Sequence, residues 1–289
     1  MSFKVSFWKR FFRLIIAIAV AVCFTPLVAL AVTEFTANPT TITTDNDDQP
    51  GHRFGGSNLT FEVNSGITYN RQGQNAISVF KNGTDTSGAT IIINSGATLS
   101  AGYKLGAAKK NAINAEKGVN VTITNSGTIS AASSVAIKLH DISTVQITNN
   151  AGGSIFATSQ TIFGDSDTTN ATITNSGDIY VSDSGNAIDF DSISGATITN
   201  SAGGKIYNQA GVGAVVYLGS SSTLTNSGTI QHTEYATTNY WSIRTKGDNN
   251  TIILKDEGKV LGMIEADAGT TGNKLQFDHG FGRTYFYET

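Results

Sequence analysis

A nine-residue phrase that keeps returning constrains this chain more than any other feature. It runs from Val121 to Ile129 as VTITNSGTI, and returns from Ala171 to Ile179 as ATITNSGDI and from Thr223 to Ile230 as TLTNSGTI. A variant with a longer corner runs from Ile147 to Ile155 and again from Ile198 to Ile206. The asparagine of the phrase falls at Asn125, Asn149, Asn175, Asn200 and Asn226, in steps of 24, 26, 25 and 26 residues. Earlier copies at Asn64 and Asn94 are spaced more widely, which places loops in the first coils. Self-similarity at such a period is the mark of a repeat architecture.

Three apolar columns keep this step. One is Ile123, Ile147, Ile173, Ile198 and Leu224; a second is Ile129, Ile155, Ile179, Ile206 and Ile230; a third is Ile137, Ile162, Ile188, Val215 and Ile243. Around each column polar and apolar residues alternate, as in Thr122-Ile123-Thr124, which is the period of a strand with one buried face. Helical spacing is absent. Three inward strands per repeat, each followed by a turn, close into a coil, and stacked coils place like residues about 4.8 Å apart on three parallel sheets. The expected fold is therefore all-β: a single-stranded parallel β-helix, three short strands and about 25 residues per coil, with seven or eight coils.

Turn chemistry and proline placement agree with this. The Asn-Ser-Gly corner offers a glycine able to take positive φ, and asparagines stacked in one column can hydrogen-bond side chain to side chain along the coils. The prolines, Pro26, Pro39 and Pro50, all precede residue 51. A long ladder should exclude proline, which has no amide hydrogen to donate.

The N-terminus reads as a secretory signal over residues 1–31. Lys4, Lys9, Arg10 and Arg13 precede the apolar run Leu14–Val22, and Ala29-Leu30-Ala31 is an A-x-A cleavage site. Cleavage removes these cations and no acid, so the net charge of −3 becomes more negative. It also removes Cys23, the single cysteine. The exported chain then has neither disulfides nor thiolate metal sites. Residues 32–57, with an acidic run at Asp45–Asp48, are expected to be a linker or N-terminal cap; 58–262 are the stacked coils; 263–289 are a less regular end, rich in glycine and aromatic residues. Charged residues make up 14% of the chain, against about 25% in ordinary globular proteins. No basic stripe exists to bind nucleic acid.

The signal, the cysteine-free coils of Ile-Thr-Asn-Ser-Gly-Thr-Ile type, and the segments Asn249–Leu254, Gly258–Gly262 and Gly272–Phe277 resemble the passenger region of bacterial autotransporters. The resemblance covers residues 58–277. It implies a right-handed coil and a place on the cell surface, in the outer membrane or outside a Gram-negative bacterium. The C-terminal β-barrel of that family is expected to be absent here, because no run of ten-residue amphipathic strands is present to build it. Contact with the outer membrane is then expected only through a barrel this sequence lacks.

Candidate chemistry is sparse. The nearest acidic cluster is Asp165, Asp167, Asp183, Asp189 and Asp191. Asp165 and Asp191 stand three residues after Ile162 and Ile188, so they should share a column on adjacent coils and offer a weak Ca²⁺ site. No arginine lies between Arg71 and Arg244 and no lysine between Lys138 and Lys205, which leaves these acids without a nearby base and reads as a solvated face. His52, His140, His232 and His279 share no metal-ligand spacing and read as surface residues. No catalytic residue and no cofactor is expected.

A second column, Phe156, Tyr180 and Tyr207, follows inward isoleucines and should face outward as an aromatic strip on three successive coils. Such a strip either binds a sugar ring or a protein, or stacks on itself and stiffens the sheet. The leading expectation is a structural or adhesive surface rod meeting a host or matrix glycan or protein. The alternatives are a β-helix polysaccharide lyase or hydrolase, or a truncated passenger without function.

Overall fold

The computed structural model describes residues 33–35, 39–42, 51–79, 86–102, 110–209, 212–233 and 240–279. The signal over 1–31, the acidic run at 45–48 and the last ten residues lie outside them. The strands belong to the compact unit Val32–Thr289.

Alternation makes the strands. In Val121–Asn125 the residues Val121, Ile123 and Asn125 are buried while Thr122 and Thr124 stay half-exposed. In Thr128–Ala131 the same pattern buries Ile129 and Ala131. After the longer strand Val135–Ile142 the chain comes back beneath its own start as Val145–Asn149. One turn of about 26 residues thus lays one strand on each of three parallel sheets. No helix occurs among the described residues.

Sheet A carries His52–Phe54, Val135–Ile142, Gln160–Gly164, Ile188–Phe190, Val216–Leu218, Trp241–Thr245 and Met263–Ala266 among its strands. Sheet B includes Val121–Asn125, Val145–Asn149, Ala171–Asn175, Thr197–Asn200, Thr223–Asn226, Thr251–Lys255 and Lys274–Asp278. Sheet C includes Thr68–Gln72, Thr128–Ala131, Ser154–Ala157, Asp178–Val181, Lys205–Asn208, Thr229–His232 and Lys259–Leu261.

The first two apolar columns stand in the expected register. Ile123, Ile147, Ile173, Ile198 and Leu224 pair in succession on sheet B. Ile129, Ile155, Ile179, Ile206 and Ile230 do so on sheet C. All ten are at most 1% exposed. Each fully buried aliphatic side chain of this size contributes about 1.5–3 kcal/mol.

The third column needs one correction. Ile188 pairs with Val216, not Val215, and Val216 pairs with Ile243. Both valines are fully buried, so apolarity alone does not choose between them. The ladder does: the Ile188 amide donates to the Val215 carbonyl at 3.0 Å, the slanted bond that pairs a residue with the one after the acceptor. A one-residue slip matters because it turns every following side chain to the opposite face.

The five asparagines form a buried ladder. Asn125, Asn149, Asn175, Asn200 and Asn226 are all 0% exposed. The Nδ2 of each of the first four donates to the Oδ1 of the next at 2.8 Å. Asn64 and Asn94 are not members. Val63 and Ile93 hold the inward position on their coils, so the next residue falls outside the core, where Asn94 donates to the Glu62 carboxylate at 2.7 Å. Leu254 closes the column at its other end.

The corner glycines also act differently from expectation. Gly66 and Gly96 take positive φ, and so does Gly203 in the longer corner. Gly177, within the ladder's Asn-Ser-Gly, does not. A Cβ there would lie 2.2 Å from the Gly153 carbonyl oxygen, so glycine is required by the close approach of two coils.

Candidate functional site

The three sheets turn outer faces of different chemistry to solvent. On sheet C, Phe156 pairs with Tyr180 and Tyr180 with Tyr207. The rings stack at 4.9 and 4.8 Å between centroids, with planes 7° and 8° apart. Ser130 and Gln231 flank the strip. The rings therefore spend much of their faces on one another and leave edges and two hydroxyls outward. Burial raises the Tyr180 hydroxyl above its ordinary value. Burial, the Asp178 carboxylate and Tyr180 push Tyr207 up to about 12.

Sheet A holds the charged chemistry. Phe163, Asp189, Tyr217 and Arg244 stand in one outward column. Asp189 is only 6% exposed. Its Oδ2 accepts from Gln160 at 2.6 Å and from Asn186 at 2.7 Å, while Oδ1 is buried without a hydrogen-bond partner among the described residues. Burial raises the Asp189 carboxyl; the Asn186 bond pulls it partly back, and Asp191 adds repulsion.

Asp191 follows on the same face. Burial would raise it as well, but its bonds with Lys246 Nζ and Ser192 Oγ, both 2.8 Å, outweigh that and hold it below the usual carboxylate range. Arg244 donates to Asp267 at 2.5 Å and lies 4.3 Å over the Trp241 ring. Lys246 lies 4.8 Å over Tyr217. The face thus joins two carboxylates displaced in opposite directions, three aromatic rings and two cations. A raised carboxyl beside a lowered one is the kind of pairing used in general acid–base work on glycosides.

Lys246 corrects the reading of these acids as lacking a base. It reaches Asp191 from 55 residues along the chain, two coils away. Tyr217 was hidden by the register slip: with Val215 in the apolar column, it would point inward. With Val216 in the inward column, Asp189, Tyr217 and Arg244 fall into line on the outer face.

Asp165 and Asp191 occupy equivalent positions on adjacent coils, since Ile162 pairs with Ile188, but their carboxylates turn opposite ways. Asp165 bonds His140 one coil back, and Asp191 bonds Lys246 two coils on. Donor atoms of His140, Asp165 and Asp167 lie within 4.8 Å of one another, a set of one imidazole and two carboxylates that could hold a divalent cation. The strand register, not sequence spacing, assembles it.

Two other histidines are not surface residues. His232 is fully buried in the inward column after Ile230 and stacks on Tyr240 at 4.8 Å. His52 hydrogen-bonds the Tyr69 hydroxyl; burial and then Arg71 lower it to about 4. No protein-family model, curated protein or solved structure matches this chain.

Proposed function

We propose that this chain is an exported structural and adhesive rod of the autotransporter-passenger type, which presents its outer faces to a host or matrix glycan or protein. The observation that carries this reading is the stacked strip of Phe156, Tyr180 and Tyr207. It is a pre-ordered apolar ridge with two hydroxyls, on the outer face of sheet C, away from the core. A ridge already ordered loses little side-chain entropy on binding. The N-terminal signal motif supports export. The test replaces all three rings by serine and measures adsorption to immobilised matrix glycans and proteins, with circular dichroism as the folding control. Loss of adsorption with the fold intact is expected; unaltered adsorption refutes the assignment.

A second reading rests on the sheet A pair. Asp189 and Asp191, with Tyr217 next to Asp189 in the outward column, fit a polysaccharide-cleaving site in which Asp189 donates a proton and Asp191 stays ionised. Turnover of an acidic polysaccharide that is abolished by Asp189→Asn would favour it. The same slow background in wild type and variant excludes it.

A further inference from the structure

Sheet B presents a third kind of face. Its five central strands read VTITN, VQITN, ATITN, TITN and TLTN, and the residues flanking each central isoleucine or leucine face outward. Of these ten outward positions, nine are threonine and one is Gln146. The register runs from Val121 to Asn226 without a shift. The threonines therefore form two straight ranks. Neighbours along a rank are one coil apart, the 4.8 Å seen between rings on sheet C. The ranks are two residues apart along the strand, about 6.6 Å.

Strand propensity alone does not account for this. It would favour threonine on all three outer faces, yet the equivalent positions on sheet C include Asp178, Lys205 and Tyr207, and those on sheet A include Asp189, Tyr217 and Arg244. The ten central positions of sheet B carry no charge and no ring. None of the nine hydroxyls is engaged by another described residue. Branching at Cβ restricts χ1, which limits how far the hydroxyls and methyls can reorient from coil to coil.

We propose that this outer face of sheet B binds ice. Its two repeats, 4.8 Å along a rank and about 6.6 Å between ranks, make a regular two-dimensional array of hydroxyls and methyls against which an ordered layer of water can form. A surface of that kind needs many weak contacts held in register: hydroxyls that join the lattice and methyls that order the water between them. It also excludes charges, whose tightly held hydration shells do not fit a crystal of water. The rigid coil stack meets the entropic cost beforehand, as preorganised surfaces do.

The test is ice recrystallisation inhibition by the purified protein, with an inert protein of equal mass as reference. Wild type is expected to hold ice grains small where the reference lets them coarsen. The pair Thr174→Lys and Thr199→Lys should abolish this while the circular dichroism melt is retained. The same charge change on sheet C, Ser130→Lys with Gln231→Lys, should leave it. Gln146→Thr completes the array and should strengthen inhibition, a gain that misfolding cannot produce. Grain growth equal to the reference, equal effects of the two lysine pairs, or no gain from Gln146→Thr would each overturn the proposal. So would retention of the protein by crystalline polysaccharide with none by ice.

Discussion

Replacing one rung of the asparagine ladder should cost far more in its middle than at its end, and the hydrogen-bond pattern says how much. Asn175 Nδ2 donates to Asn200 Oδ1 at 2.8 Å and to the carbonyls of Gly177 and Lys205 at 3.0 and 3.2 Å. Asn175→Ala removes these bonds and strands Asn200 Oδ1, whose ladder donor is Asn175. Asn149 suffers less, because its Nδ2 keeps the carbonyls of Gly153 and Asp178. A buried acceptor left unsatisfied costs about 1–3 kcal/mol and each lost bond about 1 kcal/mol more, so the variant should lose about 3–5 kcal/mol.

Asn226→Ala strands no ladder oxygen, because Leu254 follows it in the column. Asn200 Nδ2 retains the carbonyls of Gly204 and Thr229. The loss is then the bonds to Lys259 and Gly228, about 1–2 kcal/mol. Both variants remove the same side-chain atoms from a fully buried site, so their difference reports mainly on the ladder. Urea unfolding measures it, with the slope checked for constancy. Hydrogen exchange at the two sites guards against local opening of a stacked array. Equal losses, or a larger loss at Asn226, would refute the reasoning.

Three further outcomes follow from the ionisable groups. Asp189 is raised in the folded protein, so its contribution is fully present below the unfolded carboxylate range and is lost as pH rises through the folded value. Asp189→Asn should accordingly be more stable than wild type at neutral pH, and the gain should vanish in acid melts. Asp191 is lowered, so its contribution is present above the unfolded range and disappears as pH falls through the folded value. With the Lys246 side chain 37% exposed, Lys246→Met should cost less than about 1 kcal/mol and the effect should shrink in high salt. Tyr207 should ionise near 12 in an ultraviolet titration, and Asp178→Asn should lower that value; an unchanged titration would remove Asp178 as a cause.

Much of the core was legible. The columns through Ile123 and Ile129 could be written from the sequence because a parallel stack puts like residues over like, and strand alternation says which of two neighbours is inside. The aromatic strip was legible for the same reason, since Phe156, Tyr180 and Tyr207 each follow a core isoleucine. The sheet A face was not. Its reading turned on Val215 against Val216, two buried valines between which hydropathy cannot choose. The partner of Asp191 lies two coils away, beyond any local motif.

From the chain alone, the 24- to 26-residue step and the alternation around each isoleucine determined that coils form, which residues fill most of the core, and that asparagines recur in one column. Those properties follow from periodicity, which is written along the chain. Only the tertiary structure decided that Val216 holds the third column, that Asn64 and Asn94 stand outside the ladder, and that His140 meets Asp165. It also decided that Asp189 and Asp191 are driven apart in acidity. These depend on the exact register between coils, which backbone hydrogen bonds set one residue at a time, and on burial, which belongs to the assembled face.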